Sequence, residues 1–199
     1  QPAAGDAGTA PGAALHTAHA LGDRVQPMGS AALGRRWDDD ELERWLRTAR
    51  VPYERPDDVA DTVAAALADD AVVAWFQGRS EFGPRALGHR SLLADPRRPG
   101  NLERLNDVKG REQFRPVAPM VLLDRASEIF EGVVPSPYML FVHDVRPEWR
   151  DRIPTVVHVD GTARIQTVDP AEEPLMAAVL EGFERRTGVP VVVNTSLNT

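Results

Sequence analysis

The sequence lacks the residues and segments that mark several common classes of protein. None of its 199 residues is cysteine, which excludes disulfides, thiolate zinc sites and thiol nucleophiles. This absence fits a reducing cytoplasm, where we expect the protein to lie. No apolar run approaches the roughly 20 residues of a membrane-spanning helix, so we expect no membrane partner. Hydrophobic residues make up 42% and charged residues 27%, which is typical of a globular chain.

Lysine is nearly absent too. Of the 23 basic residues, 22 are arginine, and Lys109 is the one lysine. The arginine excess is typical of a GC-rich genome, because Ala, Pro, Asp and Val are plentiful as well. A lysine in such a background indicates a position that needs a compact cation in place of the planar fork of arginine.

Positive charge is concentrated in one segment of an acidic chain. The formal net charge is -7, yet residues 79–115 hold nine basic and five acidic residues. Such a segment attracts phosphate or another compact anion, and a solvated surface of salt bridges is the alternative. Nucleic acid is disfavoured, because only Phe82 and Phe114 could stack bases there and the chain as a whole is acidic.

Short apolar strands alternate with helices along the chain. Helical spacing and capping residues predict helices at 10–20, 38–49, 57–67, 100–108, 125–131 and 174–186. Apolar runs predict strands at 71–76, 117–123, 138–143, 155–159, 162–168 and 189–193. The turn Asp160-Gly161 predicts a hairpin, and residues 22–36 and 77–91 are expected to be loops. We therefore expect an α/β fold with a mixed sheet.

Three of the predicted helices have an expected buried face, and that of the helix at 174–186 is Leu175, Ala178, Val179 and Phe183. The helix at 38–49 is expected to bury Leu42, Trp45, Leu46 and Ala49. The helix at 57–67 is expected to bury Val59, Val63, Ala66 and Leu67.

The loop at 77–91 is the first candidate site. It interleaves glycines with Arg79, Arg85 and Arg90. Glycine lets the backbone approach a ligand closely, and arginine offers paired donors to phosphate oxygens. The loop matches neither a Walker motif nor GxGxxG. A phosphate site and a purely structural arginine loop both remain open.

A second candidate lies at 109–116, where Lys109, Arg111 and Arg115 fall within seven residues. Three cations beside a glycine suit a multiply charged anion, and a basic turn facing solvent is the alternative. Arg164 is the third candidate, on a strand where it lies either on the solvent face or in a cleft.

Small polar residues after the last predicted strand form the fourth candidate. Asn194, Ser196 and Asn198 alternate directly past a buried run. Such residues line ligand crevices in open α/β sheets, and they equally often cap a following helix. His16 and His19 are spaced for a shared metal, but surface histidines are favoured because no further acidic ligand lies nearby.

These segments together resemble a known family. Residues 78–91 read GRSEFGPRALGHRS and resemble the GRxExGPRALGxRS signature of the antibiotic and nodulation-factor O-carbamoyltransferases. Residues 109–119 read KGREQFRPVAP and resemble that family's KxRExxRPxAP segment. Residues 163–168 (ARIQTV) and 193–198 (VNTSLN) also match. The four ordered motifs make the resemblance specific.

The resemblance implies two modules. Residues 1–36 would be the tail of an N-terminal metal-dependent carbamoyl-transfer module and a linker. Residues 37–199 would be a carbamoyl-adenylating module, which in the family continues beyond the Asn-Thr-Ser segment. The implied fold of this module is a YrdC-like twisted mixed open sheet with flanking helices and a basic central cavity. Residues 2–10 resemble the PxxGDxGxAxGAA end of the first module, which implies a metal-ligand role for Asp6 with iron or another divalent metal.

The resemblance also implies a reaction. Carbamoyl phosphate would be activated with ATP and Mg²⁺ to O-carbamoyladenylate and pyrophosphate, and the carbamoyl group would pass to a hydroxyl of a natural product or sugar. In this interpretation Lys109, Arg115 and Arg164 are catalytic. The substrate-binding residues would be Arg79, Arg85, Arg90, Arg111, Asn194 and Ser196.

Alternatives to this reaction remain open at the sequence level. A non-catalytic nucleotide-binding or phosphate-binding module is the first, and binding of double-stranded RNA is the second. Because the partner histidines of Asp6 lie upstream in the family, we expect this polypeptide not to carbamoylate an acceptor alone.

Overall fold

The computed structural model describes residues 1–198. Its α-helices are α1 (Thr9–Ala20), α2 (Asp39–Ala49), α3 (Val59–Ala68), α4 (Asn101–Val108), α5 (Ala126–Ile129), α6 (Pro147–Arg150) and α7 (Pro174–Thr187). Its strands are β1 (Ala32–Arg36), β2 (Val73–Phe76), β3 (Arg79–Glu81), β4 (Arg90–Ala94), β5 (Ala118–Leu122), β6 (Val142–Asp144), β7 (Thr162–Arg164), β8 (Gln166–Val168) and β9 (Val191–Ser196). Short 3-10 helices lie at Asp6–Gly8 and Pro154–Val156.

A five-stranded sheet forms the centre of the fold. Its strand order is β2-β4-β9-β5-β8, and the pair β5-β8 is parallel while the other pairs are antiparallel. Two smaller antiparallel pairs, β1-β3 and β6-β7, lie beside it. The predicted mixed α/β fold is confirmed, whereas its likeness to the YrdC fold stays a prediction.

The apolar run at the end of the chain explains why β9 lies in the middle. Val191, Val192 and Val193 are fully buried, and β5 on one side is buried at all five positions. A central strand is paired on both edges and covered on both faces, so it favours apolar side chains at successive positions. The predicted buried strand at 189–193 is confirmed, but it extends to Ser196.

Helices α3 and α7 pack against each other, and α7 also contacts β9 and β5. The Asp58 carboxylate caps α3 by accepting a hydrogen bond of 2.8 Å from the Asp61 amide. Gly188, with a φ of 70°, ends α7 in the left-handed conformation, as its position predicts. The buried side of α3 is Ala60, Ala64 and Leu67, so the expected burial of Val59 is wrong.

The first part of the chain packs less tightly than the rest. Neither α1 nor α2 contains a buried residue, and Trp45 on the expected inner face of α2 is 59% exposed. The prediction that α2 buries this face is therefore wrong. The predicted loop at 22–36 contains β1, which pairs with β3. The boundary at residue 36 stays a prediction, and strands from its two sides pair across it.

Two further strand predictions are wrong in an informative way. Residues 155–159 form no strand, since Pro154–Val156 is a 3-10 helix, and the predicted hairpin at Asp160-Gly161 is wrong because β7 pairs with β6. The predicted strand at 162–168 divides at Ile165 into β7 and β8. The segment at 77–91, predicted to be a loop, contains β3 and the start of β4. Its many arginines and glycines are not typical of a strand, so the sequence did not indicate these two pairings. Within residues 1–198, no helix is both long and apolar enough to cross a bilayer.

The close approach of α7 to α3 yields a prediction. A Cβ at Gly182 would lie 2.9 Å from the Cβ of Ala64, so we expect Gly182→Ala to lower the free energy of unfolding. Overpacking costs about 1–3 kcal/mol, which exceeds the helix-propensity gain of about 0.5–1 kcal/mol. Urea unfolding measures the difference. Gly12→Ala in α1, where nothing lies within 4 Å, is the control and should not destabilise. Equal stability of both variants would contradict this packing.

Candidate phosphate-binding site

The structure brings the predicted cations together in two groups. Arg85 and Arg164, which we call the arginine pair, lie close enough for the charge of one to act on the other. Lys109, Ser196 and Asn198, which we call the lysine cluster, are joined by hydrogen bonds. Strand β9 connects the two groups, because Asn194 reaches the loop of Arg85 and Ser196 reaches Lys109.

The arginine pair has no acidic partner among residues 1–198. Neither guanidinium forms an ion pair with a described carboxylate. Nη2 of Arg164 reaches the sulfur of Met139 at 3.9 Å, and its buried Nε has no partner. Burial and the charge of Arg85 both lower the pKa of Arg164. Two half-buried cations without a counter-ion form a site that an anion would stabilise.

Two buried amides support the loop that carries Arg85. Asn194 donates from Nδ2 to the carbonyl of Ala86 at 2.9 Å and to Oε1 of Gln166 at 2.7 Å. Gln166 donates from Nε2 to the carbonyl of Leu87 at 2.8 Å. Oδ1 of Asn194 is buried without a partner. Asn194 lies within β9, so the expectation that it follows the strand is wrong. Sequence reasoning missed Gln166, whose place in the ARIQTV motif was the available signal.

The lysine cluster explains why a compact cation occupies position 109. Nζ of Lys109 lies 2.5–3.1 Å from four oxygens, two from Ser196 and two from Asn198. A single point charge can sit among oxygens that surround it, whereas a planar guanidinium cannot. Burial and the charge of Arg111 lower the pKa of Lys109. Lys109 thus fixes the end of β9, and its catalytic role stays a prediction.

The neighbours of Lys109 differ in how fully they are engaged. Arg111 donates from Nε to Oδ1 of Asn106 at 2.6 Å, while its buried Nη2 has no partner. Burial, followed by the charge of Arg115, lowers the pKa of Arg111. Arg115 forms an exposed ion pair of 2.7 Å with Glu112. Arg111 therefore keeps donor capacity for an anion, and Arg115 could exchange its carboxylate for one.

The other two arginines of the loop brace the backbone. Arg90 donates to the carbonyls of Gln77, Gly78 and His89, and its guanidinium lies 3.5 Å from the ring centre of Phe76. Arg79 donates to the carbonyl of Gly34 at 3.0 Å across the β1-β3 pair. These contacts favour the structural alternative for both residues. Their role in binding substrate stays a prediction.

The candidate metal ligands do not come together as a group among residues 1–198. Asp6 is exposed in a short 3-10 helix, and His16 and His19 lie on exposed α1. Residues 1–198 contain no group of three or more histidine, cysteine or acidic side chains arranged to hold a metal ion. The metal-ligand role of Asp6 stays a prediction.

A cavity of about 520 Å³ is lined in part by Glu81, Leu87 and His89 of the same segment. Four carboxylates line it, and no described arginine or lysine does: Glu81, Asp169, Glu172 and Glu173. The implied basic central cavity is therefore not this one. Glu81, which sequence reasoning missed, is the acid of the GRxExGPR motif, and it accepts hydrogen bonds from backbone amides of the loop.

A sequence profile described as the C-terminus of carbamoyltransferases matches residues 64–199. Among curated proteins, the chain is 47% identical over 211 residues to the nodulation protein NolNO of Sinorhizobium fredii and 44% identical over 209 residues to NolO of Bradyrhizobium diazoefficiens. Both alignments cover 100% of this chain, but only 30% and 38% of those proteins. The nodulation protein U of Rhizobium tropici is 50% identical over 136 residues, 68% of this chain and 24% of that protein.

The engagement of Lys109 yields a prediction about stability. Lys109→Met removes the donor that four oxygens share, so we expect the free energy of unfolding to fall by about 1–3 kcal/mol. Lys109→Arg should restore only part of it, because the guanidinium does not fit the same oxygens. Urea unfolding measures both. Arg115→Met, which removes an exposed ion pair, is the control and should change stability much less. Equal losses at both positions would show that the lysine cluster adds nothing.

The pair His89–Glu173 yields a prediction about pH. Burial alone would lower the pKa of His89, but the 2.9 Å hydrogen bond and charge of Glu173, with the charge of Glu81, outweigh it and raise this pKa. The stabilisation is complete below the ordinary histidine pKa of about 6.5 and is lost as the pH rises through the higher folded-state pKa.

We therefore expect Glu173→Gln to reduce the free energy of unfolding more at about pH 6 than at about pH 9. Urea titrations at the two pH values measure this. Glu172→Gln removes a neighbouring charge of the same cavity and is the control, with a smaller change between the two pH values. A loss in Glu173→Gln that does not depend on pH would contradict the pairing.

Proposed function

The chain belongs to the carbamoyltransferase family, of which it carries the C-terminal part, and from this premise we propose that it activates carbamoyl phosphate with ATP. The observation that supports the proposal is the arginine pair, two half-buried guanidiniums without a described carboxylate partner. Carbamoyl phosphate and ATP both bring the compact negative charge that such a pair lacks. The loop that carries Arg85, the amides of Asn194 and Gln166 and the neighbouring cations would hold phosphoryl oxygens in fixed positions.

The proposed reaction has two steps. In the first, water cleaves carbamoyl phosphate to carbamate and inorganic phosphate with release of a proton. In the second, a carbamate oxygen attacks the α-phosphorus of ATP. A new bond forms between carbamate oxygen and phosphorus, the bond to the β-phosphate breaks, and pyrophosphate leaves. The products are O-carbamoyladenylate and pyrophosphate.

Positive charge fixed before the reaction is the main contribution of the protein to such a step. Arg85 and Arg164 would bind oxygens of the phosphoryl group on which charge accumulates. Arg111, through its unpartnered Nη2, would bind a second phosphate group. Asn194 and Ser196 lie on β9 between these positions, and Lys109 would hold Ser196 in place. Mg²⁺ would arrive bound to the phosphates of the nucleotide.

Transfer of the carbamoyl group would need residues outside this chain. The chain spans about a third of the length of NolNO and NolO, so most of those proteins lies beyond the aligned part. We propose that a metal-dependent transfer module, joined to this one in the cytoplasm, passes the carbamoyl group to a hydroxyl-bearing small molecule. A natural product such as an antibiotic precursor, or a sugar, would be a suitable acceptor.

The arginine pair makes the proposal testable by binding. We expect Arg85→Ala and Arg164→Ala each to weaken the binding of carbamoyl phosphate by about tenfold or more, because each removes a charge-assisted contact. Isothermal titration calorimetry of the 199-residue chain measures the affinity. Arg44→Ala, which removes an exposed arginine of α2, is the matched control and should bind as the unchanged protein does.

Catalysis is tested separately, by pyrophosphate release from ATP in the longest natural polypeptide that contains this chain. Release should depend on carbamoyl phosphate and fall about a hundredfold in the two arginine variants. Release without dependence on carbamoyl phosphate would contradict the reaction. Binding without any release would favour a non-catalytic phosphate-binding module.

A further inference from the structure

We propose that Glu81 is a positioning residue that fixes the conformation of the loop 82–90, and with it the position of Arg85, through hydrogen bonds to three backbone amides. The proposal rests on the proposed function only for the identity of the anion that the arginine pair binds. The fold of the loop itself can be measured without any ligand. Sequence reasoning treated residues 77–91 as a source of cations, whereas Glu81, the one carboxylate of that segment, accepts hydrogen bonds from the loop.

One oxygen of Glu81 organises the end of the loop. Oε1 accepts the backbone amides of Leu87 at 2.8 Å, His89 at 2.7 Å and Arg90 at 3.1 Å. Hydrogen bonds from backbone amides to a carboxylate are charge-assisted and therefore stronger than bonds between neutral groups. The chain leaves β3 at Glu81 and returns to the same carboxylate as β4 begins, so the loop closes on itself at this one side chain.

The loop needs such a closure because the N–H groups at its tip have few partners of their own. The backbone N–H groups of Gly83, Arg85 and Ala86 donate to no other described residue. Gly83 and Gly88 have positive φ values of 105° and 98°, conformations that glycine adopts freely in the unfolded chain as well. An open loop would therefore have many alternative conformations, and most of them would carry Arg85 elsewhere.

Electrostatic repulsion also opposes the observed conformation. The charge of Arg85 contributes to the lowered pKa of Arg164, so the two guanidiniums repel each other while no anion lies between them. Some other interaction has to keep Arg85 near Arg164 before the anion arrives. Asn194 and Gln166 hold the carbonyls of the loop from the sheet side, and they are neutral. Glu81 holds the amides and is the charged group of the set.

A preformed pair binds an anion more tightly than a pair that must first be assembled. Glu81 itself does not need to touch the ligand, because it lines the acidic cavity, whose lining includes neither Arg85 nor Arg164. The negative charge of Glu81 would repel an anion at short range, whereas its hydrogen bonds would favour binding by fixing the loop. The structure therefore separates two explanations: a general effect of the charge and a specific effect of the three hydrogen bonds.

The experiment compares Glu81→Ala, Glu81→Gln and Glu172→Gln in the 199-residue chain. Glu172 lines the same cavity, and its side chain has no described hydrogen bond, so Glu172→Gln removes an equal charge without opening the loop. Glu81→Gln keeps one carbonyl oxygen as an acceptor and loses the charge. Nuclear magnetic resonance measures amide exchange at Leu87, His89 and Arg90 and the Nε–Hε resonance of Arg85. Calorimetry measures the affinity for pyrophosphate.

In Glu81→Ala we expect the three amides to exchange at least about tenfold faster and pyrophosphate to bind about tenfold more weakly. The Arg85 resonance should move toward that of a solvated arginine. Glu81→Gln should fall between this variant and the unchanged protein, and Glu172→Gln should match the unchanged protein. If Glu81→Ala fails to fold, the intermediate behaviour of Glu81→Gln decides the question.

Several results would overturn the proposal. Unchanged amide exchange in both Glu81 variants would show that the carboxylate does not hold the loop. Faster exchange with unchanged affinity would show that the arginine pair does not need it. An equal loss of affinity in Glu172→Gln would assign the effect to charge alone. If the unchanged protein binds no pyrophosphate, the proposed function fails, and the exchange rates and the Arg85 resonance still decide the role of Glu81.

Discussion

The placement of β9 between β4 and β5 is the constraint on which the rest of the structure depends. Its first half is apolar and buried on both faces, which fixes the strand in the sheet. Its second half then carries Asn194 and Ser196 to defined positions. Asn194 supports the loop of Arg85, and Ser196 meets Lys109. One buried strand therefore sets the spacing between two groups of cations that lie far apart in the sequence.

The cations differ in whether their side-chain donors already have carbonyl or carboxylate partners. Arg90 and Arg79 donate to backbone carbonyls, and Arg115 has a carboxylate partner. Arg85 and Arg164 have neither among residues 1–198, although burial disfavours the charged form of Arg164. Unsatisfied cations in partly buried positions destabilise a fold unless something offsets them. Composition alone does not reveal this difference in partners, which identifies Arg85 and Arg164 among the 22 arginines as the candidates for binding an anion.

The sequence predicted the type of fold and the members of the site better than it predicted their arrangement. Lys109 and Ser196 were separate candidates, and only the tertiary structure joins them. The turn at Asp160-Gly161 was recognised correctly as a turn, but a local signal does not specify the partner of the strand that follows. Glu81 was missed because its role lies in contacts with backbone amides, which leave no pattern in side-chain types.

The order of the strands has a consequence for how the protein folds. β4 and β5 do not pair with each other, and they are joined only through β9, which is the last strand among residues 1–198. Until β9 is inserted, the two halves of the sheet are separate and both expose an unpaired edge. Such non-local closure slows folding and leaves those edges open to intermolecular pairing. The strand that assembles the site is thus also the strand that covers the inner edges of β4 and β5.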